Sequence, residues 1–399
     1  MNFFRILRGL YYRLAPLIKE CAYFSSFGGQ YSDNPKYVSL KLHELAPEIK
    51  IFWAVSDDCR DVLPEYVTPV RAGSSMADRL RFSCNVVVDN YMGISIPCGP
   101  VIFKYIKWMA KNKEQLTVST WHGTPLKKMG LDDVGSKAKL SKERQLLSDF
   151  VVAGCRFTAG VLTKTMQRTP YPTYLTGTPR NDMLCSIDTV DIESLKNRLK
   201  LPHDKKIMLF APTFRDNIEQ SGISQVKALD VERILNQCAC RFGDDWVFVL
   251  RVHNLVLQAI DTAKCETSLI IDGNKGDDMA EYLVCADILL TDYSSSMFDF
   301  ALTGRPCFLF APDREHYEKR ERGFYLDYDA LPFPVAYTGG ELLENIKAFD
   351  VSSYKENIEK FLAFIGNVED GRASERIARC IMHFIRTGEK KLETVDRMG

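Results

Sequence analysis

Apolar residues in this chain fall in short runs, each closed by a polar cluster and followed by a stretch of helical period. The runs lie at residues 49–55, 86–89, 116–120 and 150–153, and again at 206–212, 246–251, 269–272, 288–291 and 307–310. Short runs that are apolar on both sides predict strands of parallel sheets buried under helices, and their alternation with helical segments predicts βαβ units. The pattern ends at Pro179-Arg180-Asn181-Asp182, passes through a charged helical stretch at 192–199, and restarts at 206. A linker is therefore expected within 183–204, between two halves of like architecture. Helical periodicity over 357–386 predicts a last helix able to cross back and brace the first half.

Polar residues collect directly after the predicted strands. The clusters are Trp121-His122-Gly123-Thr124-Pro125, residues 176–182, Pro212-Thr213-Phe214-Arg215, Arg251-Val252-His253, and residues 292–299 with Ser294, Ser295 and Ser296. In open α/β sheets ligands bind outside the carboxyl ends of the strands, so these five clusters are expected to converge on one cleft between the halves. The serines should open a helix whose N-terminus favours an anion, although serine also caps helices that bind nothing. Gly123 permits close backbone approach, Thr124 is a possible cap, and Pro125 fits the first turn of a helix. Arginines suit a diphosphate and histidines suit proton transfer. Taken singly the fragments are weaker: Pro212-Thr213 can simply cap a helix, and Arg251 can simply hold a carboxylate.

Composition narrows the possibilities. The chain has 399 residues, 46% hydrophobic and 26% charged, enough for two cores, and a formal net charge of zero, which gives no global field to draw nucleic acid. Twelve cysteines are scattered without a zinc-type spacing and read as small buried residues in a reducing compartment. No run is long enough to span a bilayer, and the N-terminus does not read as a signal peptide. Residues 1–14 mix aromatic residues with Arg5, Arg8 and Arg13, and with Lys19 beyond them they suggest contact with an anionic membrane surface. Residues 103–111 have the same character. A cytoplasmic protein, peripheral on the membrane, is expected. Asp327-Tyr328-Asp329 reads as a surface loop rather than a metal site, and no metal or cofactor is expected.

The ordered motifs at 26–36, 121–127, 176–182, 211–215, 287–299 and 317–325 together resemble the CDP-glycerol glycerophosphotransferases of teichoic acid synthesis. The resemblance covers roughly residues 20–330. It implies an α/β chain of GT-B fold, with an acceptor-side domain at 1–185, a donor-binding domain at 186–360, and a helical segment at 361–399 packing back. It also implies catalytic His122 and His253, with donor contacts from Gly123, Thr124, Pro125, Arg180, Pro212, Thr213, Arg251, Ser294, Ser295, Ser296, Met297 and Asp299. One departure stands out: His253 is followed by Asn254 where the family leads one to expect proline.

The reaction implied is attack by an acceptor hydroxyl on the distal phosphorus of CDP-glycerol or CDP-ribitol, with CMP leaving. The acceptor would be a lipid-linked saccharide or a growing polymer, and the length of the chain favours a short, single-addition enzyme. Two rivals remain at this level. One is a glycosyltransferase or epimerase using a UDP-sugar on the same scaffold, since fold does not fix function; the other is a membrane adaptor with a vestigial cleft.

Overall fold

A computed structural model of the chain describes residues 16–90, 114–132, 148–166, 173–213, 229–252, 267–315, 317 and 323–395. The chain divides into two compact units, the first built from residues 1–124, 129–182 and 366–399 and the second from 125–128 and 183–365.

The first unit holds a parallel sheet of seven strands: β1 (Ile18–Ser25), β2 (Lys50–Val55), β3 (Val67–Arg71), β4 (Cys84–Asp89), β5 (Leu116–Ser119), β6 (Phe150–Ala153) and β7 (Thr173–Leu175). Their order is β3-β2-β1-β4-β5-β6-β7, so the winding reverses between β1 and β4, which pair from Ala22 against Val86 to Ser25 against Asp89. Side chains along these strands alternate between two buried faces. Ala22, Phe24, Trp53, Val86 and Val88 point to one core, and Cys21, Tyr23, Ala54 and Val87 to the other. Helices α1 (Asp33–Leu45), α2 (Ser75–Ser83) and α3 (Arg156–Thr165) connect the strands.

The second unit holds a six-stranded parallel sheet: β8 (Lys206–Ala211), β9 (Trp246–Leu250), β10 (Ile270–Asp272), β11 (Ile288–Thr291), β12 (Cys307–Phe310) and β13 (Val335–Ala336). The order β10-β9-β8-β11-β12-β13 reverses between β8 and β11, which pair from Met208 against Ile288 to Ala211 against Thr291. Around it lie α4 (Ile192–Leu199), α5 (Val231–Phe242), α6 (Met279–Cys285), α7 (Ser296–Ala301), α8 (Gly339–Ala348) and α9 (Val351–Phe364).

The periodicity at 357–386 resolves into two helices rather than one. It covers the end of α9, in the second unit, and most of α10 (Ala373–Thr387), in the first. Between them the chain turns at Gly366, whose φ of +63° is left-handed. Ile377, Ile381 and Phe384 of α10 are buried in the core formed by Ala22, Phe24 and Trp53. Burial of such side chains is worth about 1.5–3 kcal/mol each. Their sum is comparable to the net stability of a domain, so α10 is integral to the first unit.

One more expectation changes, and others are left open. Lys19, expected beside membrane headgroups, is exposed near the start of β1, an interior strand of the sheet. Residues 1–14 and 103–111, on which the membrane reading rests, lie outside the described residues. No helix follows Pro125. Lys127 instead forms an antiparallel bridge with Phe324, the Lys128 N–H donates to Gly323 O at 2.7 Å, and the Tyr325 N–H donates to Leu126 O at 2.8 Å. Those bonds occupy the backbone groups that a helix would have used. Among the described residues no helix is long and apolar enough to cross a membrane.

Candidate active site

His122 follows β5 in the first unit and lies at the carboxyl end of the sheet, beside the reversal between β1 and β4. Its Nδ1 lies 2.8 Å from the carbonyl oxygen of Asn90, the residue directly after β4. A carbonyl can only accept, so Nδ1 carries the proton and the neutral ring keeps its lone pair on Nε2. Burial lowers the pKa of the imidazole; Arg180 pushes the same way, while the Asn90 carbonyl and Asp33 push back. The ring is thus neutral near pH 7, with its basic nitrogen defined.

The backbone that carries this ring is held by buried polar groups. Asn34 donates from Nδ2 to Thr120 O at 3.1 Å and Trp121 O at 2.8 Å, and its Oδ1 accepts the Arg180 N–H at 3.0 Å. The Nη1 of Arg180 donates to His122 O at 3.0 Å and to Asp33 Oδ1 at 2.5 Å. Asn90 spans the β1 and β4 loops: Nδ2 donates to Ser26 Oγ at 3.0 Å and to Asp33 Oδ2, and Oδ1 accepts the Phe27 N–H at 3.1 Å. The Asp33–Arg180 pair is nearly closed to solvent, with side chains 4% and 12% exposed.

Backbone strain gathers in the same place. Phe27, Asp33 and Trp121 have φ of +42°, +61° and +55°, a region costly for residues other than glycine. Gly123, at φ +124°, is free of that cost. The Phe27 ring meets His122 edge-on, with centroids 5.7 Å apart, and Trp121 lies 4.1 Å from it. Thr124 does not cap a helix; its hydroxyl accepts from Thr158 Oγ1 at 3.2 Å.

The second unit repeats the arrangement at its own reversal point. The buried carboxylate of Asp292, after β11, accepts the Thr213 N–H at 2.8 Å and the Tyr293 N–H at 2.6 Å. That ties the Pro212-Thr213 loop after β8 to the serine turn. Ser294 and Ser295 are half-buried, and the Ser296 hydroxyl donates to Ser294 Oγ at 2.9 Å. The helix they open, α7, has six residues, and no serine hydroxyl caps it. Met297 and Asp299 are buried beneath the turn. Arg251 points into its own loop, donating to Gly273 O at 2.8 Å, Gly276 O at 2.9 Å and Asp277 O at 2.8 Å, and stacking 4.4 Å from the ring centre of Tyr282. Its guanidinium therefore orders residues 273–277. His253 lies outside the described residues.

The family model for CDP-glycerol:poly(glycerophosphate) glycerophosphotransferases matches residues 10–383. The chain belongs to this family. It is 31% identical to the teichoic acid glycerol-phosphate transferase of Staphylococcus aureus over 381 residues, which is 91% of this chain and 93% of the relative. It is 30% identical to the teichoic acid poly(glycerol phosphate) polymerase of Staphylococcus epidermidis over 373 residues, 90% of this chain but 50% of the relative. The chain thus spans about half the length of that polymerase and of its Bacillus subtilis counterpart. The structure of the wall teichoic acid polymerase TagF superposes with a TM-score of 0.77 at 27% identity, covering 96% of this chain and 94% of that one. A variant of TagF soaked with CDPG aligns with a TM-score of 0.76. The MnaA-UDP structure from S. aureus, at 13% identity and a TM-score of 0.51, shares the fold alone.

In this member of the family the sequence motifs point to His122, Arg180, Thr213 and the serines, and the structure sets two groups of them at sheet reversals. The groups that hold them, the buried Asp33, Asn34, Asn90 and Asp292 and the half-buried Glu369, which accepts bonds from Thr178 and Asn181, are not singled out by the motifs. Asp33 and Asn34 stand within the 26–36 motif and Asp292 within the 287–299 motif, so position was the available signal. Nothing in the sequence marks Asn90 or Glu369.

Proposed function

We propose that this chain transfers glycerol phosphate, or a related polyol phosphate, from a CDP-alcohol to an acceptor hydroxyl and releases CMP. The observation that carries the reading is the 2.8 Å contact of His122 Nδ1 with Asn90 O, which assigns the proton to Nδ1, together with burial that keeps Nε2 unprotonated near pH 7. In the proposed step the acceptor oxygen bonds to the phosphorus that bears the polyol while its proton passes to His122 Nε2. The bond from that phosphorus to the bridging oxygen breaks, and the electron pair leaves with CMP. A positioned base contributes roughly 10²- to 10⁴-fold.

The donor is assigned to the second unit, where Asp292 draws the Thr213 and Tyr293 N–H groups together and Ser294 to Ser296 add hydroxyls suited to phosphate oxygens. A GT-B arrangement, with the two reversal points opening on a shared cleft, would bring base and donor together. Arg180 belongs to the reading as a cation near the phosphates, Arg251 as the residue that orders the 273–277 loop, and His253 as the second histidine. The TagF variant structure soaked with CDPG supports CDPG as the donor here. The acceptor is proposed to be a lipid-linked saccharide or a growing teichoic acid-type polymer, met at the membrane surface through the basic and aromatic residues 1–14 and 103–111. The assay is CMP release from CDPG with such an acceptor. His122→Gln should lose turnover on the 10²- to 10⁴-fold scale of a general base while keeping its fold by circular dichroism. Near wild-type CMP release by that variant would remove His122 from the chemistry.

A further inference from the structure

Glu369 lies in the turn between α9 and α10, yet its carboxyl serves a loop nearly two hundred residues earlier in the chain. Oε2 accepts the Thr178 N–H at 2.8 Å, and Oε1 accepts Asn181 Nδ2 at 3.1 Å. Those two residues bracket Pro179 and Arg180. Two glycines make the room: a Cβ on Gly154 would stand 1.9 Å from Oε1, and one on Gly177, already at φ +82°, would stand 3.1 Å from Oε2. The surrounding segment grips the same loop. Asp182 accepts the N–H groups of Ala373 at 2.9 Å and Ser374 at 2.8 Å, and Arg376 Nη1 donates to Thr176 O at 2.9 Å. From the bracketed turn, Arg180 reaches His122 O and Asp33, and its backbone reaches Asn34.

We propose that Glu369 is a positioning residue for the transfer reaction, fixing the Pro179–Asn181 turn so that Arg180 holds the backbone of His122 in register. The proposal rests on the reading of His122 as the base, and it assigns Glu369 no contact with substrate. Its chemistry fits a brace. Burial pushes the carboxyl up to about 8, and the nearby charge of Asp182 adds to this, while the bonds from Thr178 and Asn181 pull the other way. Near pH 7 Glu369 is therefore mostly protonated, and glutamine is its close mimic once the Asn181 amide turns over to present its oxygen. The other ionisable groups around it are Cys155 at the start of α3, with Asp370 and Arg376 paired on its own segment.

The test compares full-length wild type, Glu369→Gln and Glu369→Ala by kcat and KM with CDPG, and by NMR titration of the His122 ring, assigned from the His122→Gln spectrum. Glu369→Ala should lose kcat on the order of 10- to 100-fold, the scale of a misplacement near 1 Å, with little change in KM for CDPG and a displaced His122 titration. Glu369→Gln should keep most of kcat at pH 7. A His122 titration and kcat unchanged in Glu369→Ala would overturn the proposal. If that variant does not fold, unchanged kcat and an unchanged His122 titration in Glu369→Asp, whose carboxyl is drawn back by one methylene from Thr178 and Asn181, would do so. A wild-type chain with no transferase activity would sink the functional reading instead, and the NMR comparison would still decide whether Glu369 governs the ring.

Discussion

Replacing Asp33 by asparagine separates the electrostatics of the His122 site from its shape. Asparagine tolerates the left-handed φ of +61° nearly as well as aspartate, so little backbone strain is added. The charge, however, disappears from a pair whose side chains are 4% and 12% exposed. Removing one partner of a buried ion pair leaves the other charge uncompensated, at about 3–5 kcal/mol. For a unit of this size each kcal/mol lowers the midpoint by roughly 2–4 °C, so the first unit should unfold about 6–20 °C earlier by calorimetry. The second consequence is kinetic. Asp33 supports the protonated form of His122 and Arg180 opposes it, so Asp33→Asn should move the acid limb of the pH–rate profile down, and Arg180→Gln should move it up. Pairing Asp33→Asn with Arg180→Met should cost less than the two singles added together, since no charge is then stranded. A midpoint within 1 °C of wild type for Asp33→Asn, or strict additivity in the double variant, would show that the pair does not act as a buried unit.

Two other outcomes follow from the geometry. Because burial holds the His122 pKa below its ordinary 6.5 and the base must be neutral, the rate of transfer should fall as pH drops, with the midpoint of the acid limb below 6.5. An acid limb centred above 6.5 would assign the base elsewhere. Asp292→Ala strands two buried N–H groups, each at a cost of about 1–3 kcal/mol, and should raise KM for CDPG more than it lowers kcat. Asp292→Asn keeps an acceptor oxygen and should be milder; equal kinetics in the two would remove the carboxylate from donor binding.

Strands with a plain apolar run were legible in the sequence, and those without one were not. The segment that forms β4 reads directly from Val86, Val87 and Val88. By contrast β1 opens with Lys19 and Glu20, which blur its apolar run, although it occupies the centre of the sheet. At the sheet edge β3 carries Pro69, tolerated there because an edge strand need not donate on both sides. The three residues of β7 and the two of β13 are too short for any period to register. Reactive side chains stood out because glycine, proline and hydroxyl residues surround them. Their supports did not: Asn90 and Glu369 are single polar residues whose role depends on contacts with distant parts of the chain. Arg251 shows the converse, a residue whose charge suggests a ligand and whose bonds go to three backbone carbonyls.

The arrangement of α10 also bears on how the chain matures as it leaves the ribosome. The strands of the first unit are made before the bulk of the second unit, but the helix that supplies Ile377, Ile381 and Phe384 to their core is made after it. The second unit, apart from the early residues 125–128, is complete by residue 365. Vectorial synthesis therefore lets the later half close before the earlier one, and the nascent first sheet keeps an open apolar face in the meantime.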